Sequence, residues 1–207
     1  MTERNLKLLK TAIFIAALIP FATLLYRGWQ NQLGANPVET ITDVTGIWTL
    51  RFLAITLAIT PLRELTGKVV LIRFRRMLGL FTFFYGLLHF LNYTWLDQFF
   101  DWPFILQDIA KHPYIILGLM TFMILLVLAI TSPRTMVRKL GKRWKKLHRL
   151  VYIAAFLGSF HYLWLVKSDI REPLSYLAIF VVLMVLRLPS VKQKTPQVLG
   201  LFRSAKT

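Results

Sequence analysis

The chain has 207 residues, 56% of them hydrophobic and 14% aromatic, with a formal net charge of +17 and no cysteine. The lack of cysteine excludes disulfides, thiolate metal sites and cysteine nucleophiles. Six apolar runs close to the ~20 residues that cross ~30 Å of hydrocarbon exclude a soluble domain built round one core, and basic residues placed mostly between those runs point to a membrane, not to nucleic acid.

The runs predict six transmembrane helices, over Leu9–Tyr26, Val44–Leu62, Met77–Trp95, Pro113–Ser132, His148–Val166 and Pro173–Leu188. Lys7 and Lys10 precede the first run, but no A-x-A-like cleavage site follows, so it reads as a retained helix and not as a signal peptide. Pro20 predicts a kink within it that neighbouring helices absorb. Pro61, Pro133 and Pro189 fall where runs end and Pro113 and Pro173 where they begin, in keeping with proline as a helix stop or start. The expected fold is an all-α integral membrane protein, a bundle of six transmembrane helices over residues 1–189 with a basic tail over residues 190–207. Of the 26 Lys and Arg, 21 lie at the N-terminus, in the second-to-third and fourth-to-fifth loops and on the C-terminal side, while seven of the nine acids lie on the opposite side. The positive-inside rule then places both termini in the cytoplasm. Tyr26, Trp29, Trp48, Trp95, Trp102 and Trp164 read as the aromatic belt of the outer interface.

Four histidines carry the chemical signal. His112, before Pro113 in an outer loop, reads as solvated. The other three lie in or at spans, where an ionisable side chain is a functional hypothesis by default. The third helix enters from the cytoplasm near Met77 and the fifth near His148. At ~1.5 Å per residue His89 and His161 lie roughly 18 and 20 Å in, at one height in the outer half of the bilayer. Two imidazoles at one depth can clamp a porphyrin iron from both faces, with Phe83, Phe84, Tyr85, Phe90, Phe156, Phe160 and Tyr162 as expected walls. The alternatives are hydrogen bonding within the bundle and a proton relay in a small transporter.

His148 sits at the cytoplasmic end of the fifth helix, within Trp144-Lys145-Lys146-Leu147-His148-Arg149. At the matching depth the third helix carries Arg76, so these two helices offer no second histidine pair. Arg73, Arg75 and Arg76 with His148 mark a candidate inner site for a flavin phosphate, heme propionates or a quinone headgroup; the alternative is topology signalling and lipid headgroup contact. Arg51, near the outer end of the second helix, is expected either to pair with a heme propionate or to snorkel to the headgroups. No transmembrane carboxylate dyad or nucleophile elbow is present, so substrate chemistry is expected on a partner.

Arg75-Arg76-Met77-Leu78-Gly79-Leu80 leading to Tyr85-Gly86-Leu87-Leu88-His89-Phe90, and Trp144 to Tyr152 leading to His161, resemble the ferric-reductase-like transmembrane family. Its mark is a pair of histidines 13 apart on one helix, as in His148 and His161, and a histidine on an earlier helix. Thr60-Pro61-Leu62-Arg63 is a weaker match. Within the family the chain is similar to heme-binding membrane subunits of bacterial methionine sulfoxide reductase systems. The resemblance implies heme b, with FMN as a possible further cofactor, in the bacterial inner membrane. It implies respiratory quinones or a cytosolic flavin reductase as donor, and as partner a periplasmic molybdopterin-containing catalytic subunit that repairs methionine sulfoxide in envelope proteins. The alternative within the family is a small cytochrome with another acceptor. Larger relatives carry a soluble FAD/NADPH domain after the sixth helix; no Gly-rich dinucleotide fingerprint occurs here, so a separate donor is expected. Larger relatives also carry a second histidine low on the third helix. Its absence leaves one heme expected and a second open.

Overall fold

The computed structural model describes residues 2–187, and the expected tail over residues 190–207 lies outside them, as does Leu188 at the end of the sixth run. The described residues form α1 (Glu3–Trp29), α2 (Pro37–Thr66), a 3-10 turn (Val69–Leu71), α3 (Ile72–Leu91), a π-helical segment (Asn92–Asp97), α4 (Trp102–Lys111), α5 (Pro113–Ile130), α6 (Arg134–Leu140), α7 (Lys142–Leu147), α8 (Leu150–Leu165) and α9 (Arg171–Val185). The α1, α2 and α5 helices are long and apolar enough to cross a membrane. The α3 helix has 20 residues but opens on Arg73, Arg75 and Arg76, and α8 and α9 have 16 and 15 residues.

The helices α2, α3, α5 and α8 form a closed ring, each packed on the next and α8 back on α2. The α1 helix lies outside against α2 and α3, and α9 outside against α8 and α2. Large apolar side chains face outward, among them Phe14, Ile15 and Ile19 on α1, Met120 and Met123 on α5, and Val181 and Val182 on α9. Lipid accommodates such a surface and water does not.

Two prolines show how the bundle repairs its backbone. At Pro20 the α1 ladder is weakened because proline has no N–H and crowds the preceding turn. The Tyr85 hydroxyl of α3, 1% exposed, enters there: it donates to the Ala17 carbonyl at 2.8 Å and accepts from the Phe21 amide at 3.2 Å. Stacking of Tyr85 on Phe52, with ring centroids 5.4 Å apart, locks that side chain from α2. Pro61 differs from its expected role. It does not stop its helix, and α2 runs on to Thr66 before Gly67, at φ 69°, ends it. The carbonyl that Pro61 leaves without its amide partner is that of Leu57, and it accepts from the Arg187 guanidinium, which also bonds the Tyr152 hydroxyl. One long cationic side chain thus ties the end of α9 to α2 and α8.

The fifth expected span is also corrected. His148 is not inside a helix but at the joint between α7 and α8, which starts at Leu150.

Candidate functional site

The ring helices α2, α3, α5 and α8 enclose a cavity, called outer after the expected topology, and His89 of α3 and His161 of α8 meet in it. Their ring centroids are 6.2 Å apart and their planes stand at 83°. An imidazole–metal bond is about 2 Å, and with roughly 1 Å more from nitrogen to centroid, two imidazoles on one metal ion sit roughly 6 Å apart. The pair therefore stands at the separation that one shared metal ion requires.

Each imidazole is held by its far nitrogen. His89 Nδ1 lies 3.0 Å from the Thr42 carbonyl of α2, and His161 Nδ1 lies 2.7 Å from the Tyr114 carbonyl of α5. A carbonyl only accepts, so Nδ1 carries the proton on both rings and Nε2 keeps its lone pair as a donor to metal. A backbone carbonyl behind the ring also fixes ring orientation and raises ligand basicity.

Four glycines, one on each ring helix, make the space. A Cβ on Gly118 would stand 2.9 Å from His161 Cε1 and Nδ1, and one on Gly46 would stand 3.1 Å from His89 Cε1. Each histidine thus packs against a glycine of the neighbouring helix. Gly86 and Gly158 lie one turn before His89 and His161, on the same faces, and line the cavity below them. The remaining walls are mainly apolar, from Ile47, Leu50, Leu53, Phe122, Leu125 and Leu165. The free space is about 90 Å³. Asp43 also lines this cavity.

Toward the other end of the same ring lies a second cavity of about 780 Å³, lined by His148, Trp144, Arg75, Arg76, Arg134 and Arg138 with Thr56, Thr82 and Ser132. Trp144 stacks on His148 with centroids 3.9 Å apart. The Thr56 hydroxyl is buried without a hydrogen-bond partner among the described residues, a cost that a bound polar group would remove. Four guanidinium side chains in one lining favour an anion.

The predicted residues divide accordingly. His89 and His161 come together, and His148 gathers with Arg75 and Arg76. Arg73 does not reach the inner cavity; it pairs with Glu3 at 3.0 Å on the surface. Its place is taken by Arg134 and Arg138 of α6, which sequence reasoning had counted only as topology signals. Arg51 is outside the lining of the outer cavity: its Nε donates to the Tyr176 hydroxyl at 3.1 Å and its guanidinium lies 4.9 Å over the Trp48 ring. Of the expected aromatic walls only Tyr162 lines the cavity. Phe84 and Tyr85 turn instead toward α1 and α2, and Phe156 is half exposed. Phe122, which had not been singled out, lines the cavity and stacks on Phe90 at 4.4 Å. His112 bonds Asp108 at 2.8 Å, outside both cavities.

A family model described as "Ferric reductase like transmembrane component" matches residues 45–159. The range contains His89 and His148 and stops just short of His161. A protein of Herminiimonas arsenicoxydans named "Protein-methionine-sulfoxide reductase heme-binding subunit MsrQ" is 52% identical over 186 residues, 88% of this chain and 85% of that protein. Proteins of the same name from Azospira oryzae and Xanthomonas campestris pv. campestris are 48% and 49% identical, over 88% and 84% of this chain and 79% and 83% of their own length.

Proposed function

The chain belongs to the ferric-reductase-like transmembrane family, and from that premise we propose that this multi-pass inner-membrane protein is the heme b electron-transfer subunit of a methionine sulfoxide reductase system. The observation that carries the reading is the His89–His161 pair, 6.2 Å apart, with each Nδ1 tied to a carbonyl of another helix. His89 and His161 would hold the heme iron in this reading. Heme bound between them supplies a one-electron centre within the bilayer.

The chain's own residues do the rest. The Thr42 and Tyr114 carbonyls hold the imidazoles in the ligating tautomer, and Gly46 and Gly118 leave those rings room. With about 90 Å³ free, seating a macrocycle requires side chains such as Leu50, Phe122 and Leu125 to turn aside, a rotamer change of the kind common on binding. The inner cavity would receive the anionic or polar end of a second redox group, whether the phosphate of FMN, the propionates of a second heme or a quinone headgroup, and His148, Arg75 and Arg76, joined by Arg134 and Arg138, would hold it. The donor in this reading would be quinol or a cytosolic flavin reductase, and the acceptor a periplasmic molybdopterin-containing catalytic subunit that reduces methionine sulfoxide in envelope proteins. The names of the relatives support the reductase partner.

The test is the absorption spectrum of the purified protein in detergent. A low-spin heme b spectrum that His89→Ala and His161→Ala each abolish is the expected result. A colourless protein overturns the reading and leaves a histidine proton relay in its place.

A further inference from the structure

We propose that Asn92 is a positioning residue for His89, gripping the turn of α2 whose carbonyl holds the imidazole. The inference rests on His89 being a heme ligand.

Asn92 is the first residue of the π-helical segment that follows α3, three residues after His89, and is 3% exposed. Its Nδ2 donates to the Thr42 hydroxyl oxygen at 2.6 Å and to the Val38 carbonyl at 3.1 Å. The orientation of the amide is fixed by chemistry, because the Val38 carbonyl can only accept and so must face the NH₂ end. The Thr42 hydroxyl donates its own proton to the same Val38 carbonyl at 2.9 Å, which leaves its lone pairs for Asn92. One buried amide thus holds a full turn of α2, from Val38 to Thr42. The Thr42 carbonyl on that turn accepts from His89 Nδ1 at 3.0 Å, and the Thr45 hydroxyl stands 3.4 Å from the same nitrogen.

The local geometry of α3 makes the grip possible. Backbone pairing beyond Leu91 widens into a π turn, a feature frequent at functional sites, and Asn92 stands where that widening starts. Asn92 Oδ1 is buried with no partner among the described residues. The helix pair therefore bears an unsatisfied acceptor in order to keep the amide donors on α2, a cost of about 1–3 kcal/mol that leucine at this position would avoid.

The consequence is electronic. An imidazole whose Nδ1–H donates to a firmly held carbonyl is a stronger donor through Nε2 and favours the oxidised metal. Releasing the turn lets the Thr42 carbonyl drift and weakens that push. The outer heme should then become easier to reduce while keeping both ligands.

The test is a redox titration of the heme-loaded protein with the low-spin electron paramagnetic resonance signal as a second readout. Three variants serve: Asn92→Leu, which removes the amide; Thr42→Val, which removes the hydroxyl and keeps the carbonyl; and Thr42→Ser, which keeps both. Asn92→Leu and Thr42→Val are expected to retain a low-spin spectrum and to shift the balance toward the reduced form threefold to tenfold, roughly 30 to 60 mV upward for one electron. Thr42→Ser is expected to match the parent. Parental potentials and signals in both Asn92→Leu and Thr42→Val overturn the proposal, as does a shift in Thr42→Ser equal to that in Thr42→Val, since serine keeps the hydroxyl and the effect would then not come from its loss. Should Asn92→Leu fail to accumulate, the Thr42 pair decides alone. The ligand reading fails separately, and takes this inference with it, if His89→Ala keeps the full low-spin spectrum.

Discussion

Gly118→Ala puts the proposed site under a defined load. The new Cβ would stand 2.9 Å from His161 Cε1 and Nδ1 and 3.3 Å from Nε2. Carbon contacts are most favourable at about 3.5–4.0 Å, so the ring or α5 must move by roughly 0.6 Å or more. The ring has little room to retreat, because its Nδ1 is 2.7 Å from the Tyr114 carbonyl, one turn before Gly118 on α5. Movement away from the alanine methyl therefore stretches the bond that sets the tautomer. Overpacking costs about 1–3 kcal/mol, and loosening the hydrogen bond is of order 0.5–1.5 kcal/mol. Taking the overpacking cost alone, at 1.4 kcal/mol per tenfold, heme affinity falls by roughly fivefold to 150-fold. The assay is the heme-to-protein ratio of purified variants together with the reduced low-spin spectrum. Gly79→Ala is the control, since its Cβ meets only Thr56 Cγ2 at an ordinary 3.6 Å. Gly46→Ala, at 3.1 Å from His89, should fall between the two. Equal heme content in Gly118→Ala and Gly79→Ala would refute the argument that this glycine makes room for an axial ligand.

Other expectations follow from single contacts. Tyr85→Phe should lower stability by about 1–3 kcal/mol, because the Phe21 amide and Ala17 carbonyl beside Pro20 lose their bridge inside the bundle; detergent unfolding curves indistinguishable from the parent would contradict it. His148→Ala should leave the outer heme spectrum intact and slow its reduction by quinol or reduced flavin, since α8 carries His161 ~16 Å beyond its start at Leu150, a gap that is long for one step; parental stopped-flow rates would assign His148 a merely interfacial role. Reporter fusions within the α6–α7 segment, at residues 141–146, should read cytoplasmic and those near Asp101 periplasmic, and the reverse would invert the proposed direction of electron flow.

How far the sequence reached depended on whether a property runs along one helix or between helices. Depth runs along a helix at a fixed rise per residue, so the common height of His89 and His161 was legible from their distances to Met77 and His148, and the structure sets the two rings side by side. The same holds for Gly86 and Gly158, which stand three residues before those histidines and share their faces. Their spacing was present in the sequence, though the pattern had not been drawn from it. Pro20 was legible as a weak point in α1, but nothing local to α1 says that a tyrosine 65 positions later bridges it.

Lateral neighbours follow no such rule. Gly46 and Gly118 matter because α2 lies against α3 and α5 against α8, and the order of helices round a ring has no signature in hydropathy. The inner cations show the same limit: Arg73 and Arg75 stand two apart on one helix, nearly opposite in direction at ~100° per residue, yet which of the two faces the cavity depends on where α6 folds back with Arg134 and Arg138. Pro61 marked a helix end by its chemistry and α2 continued through it, because a guanidinium from α9 took up the carbonyl that the proline had freed. By itself the sequence determined an all-helical membrane protein with two imidazoles at one depth, since hydrophobic length and helical rise are properties of a single segment. The tertiary structure decided which carbonyls hold those imidazoles, which glycines clear space for them and which arginines meet His148, since these depend on the packing of one helix against another.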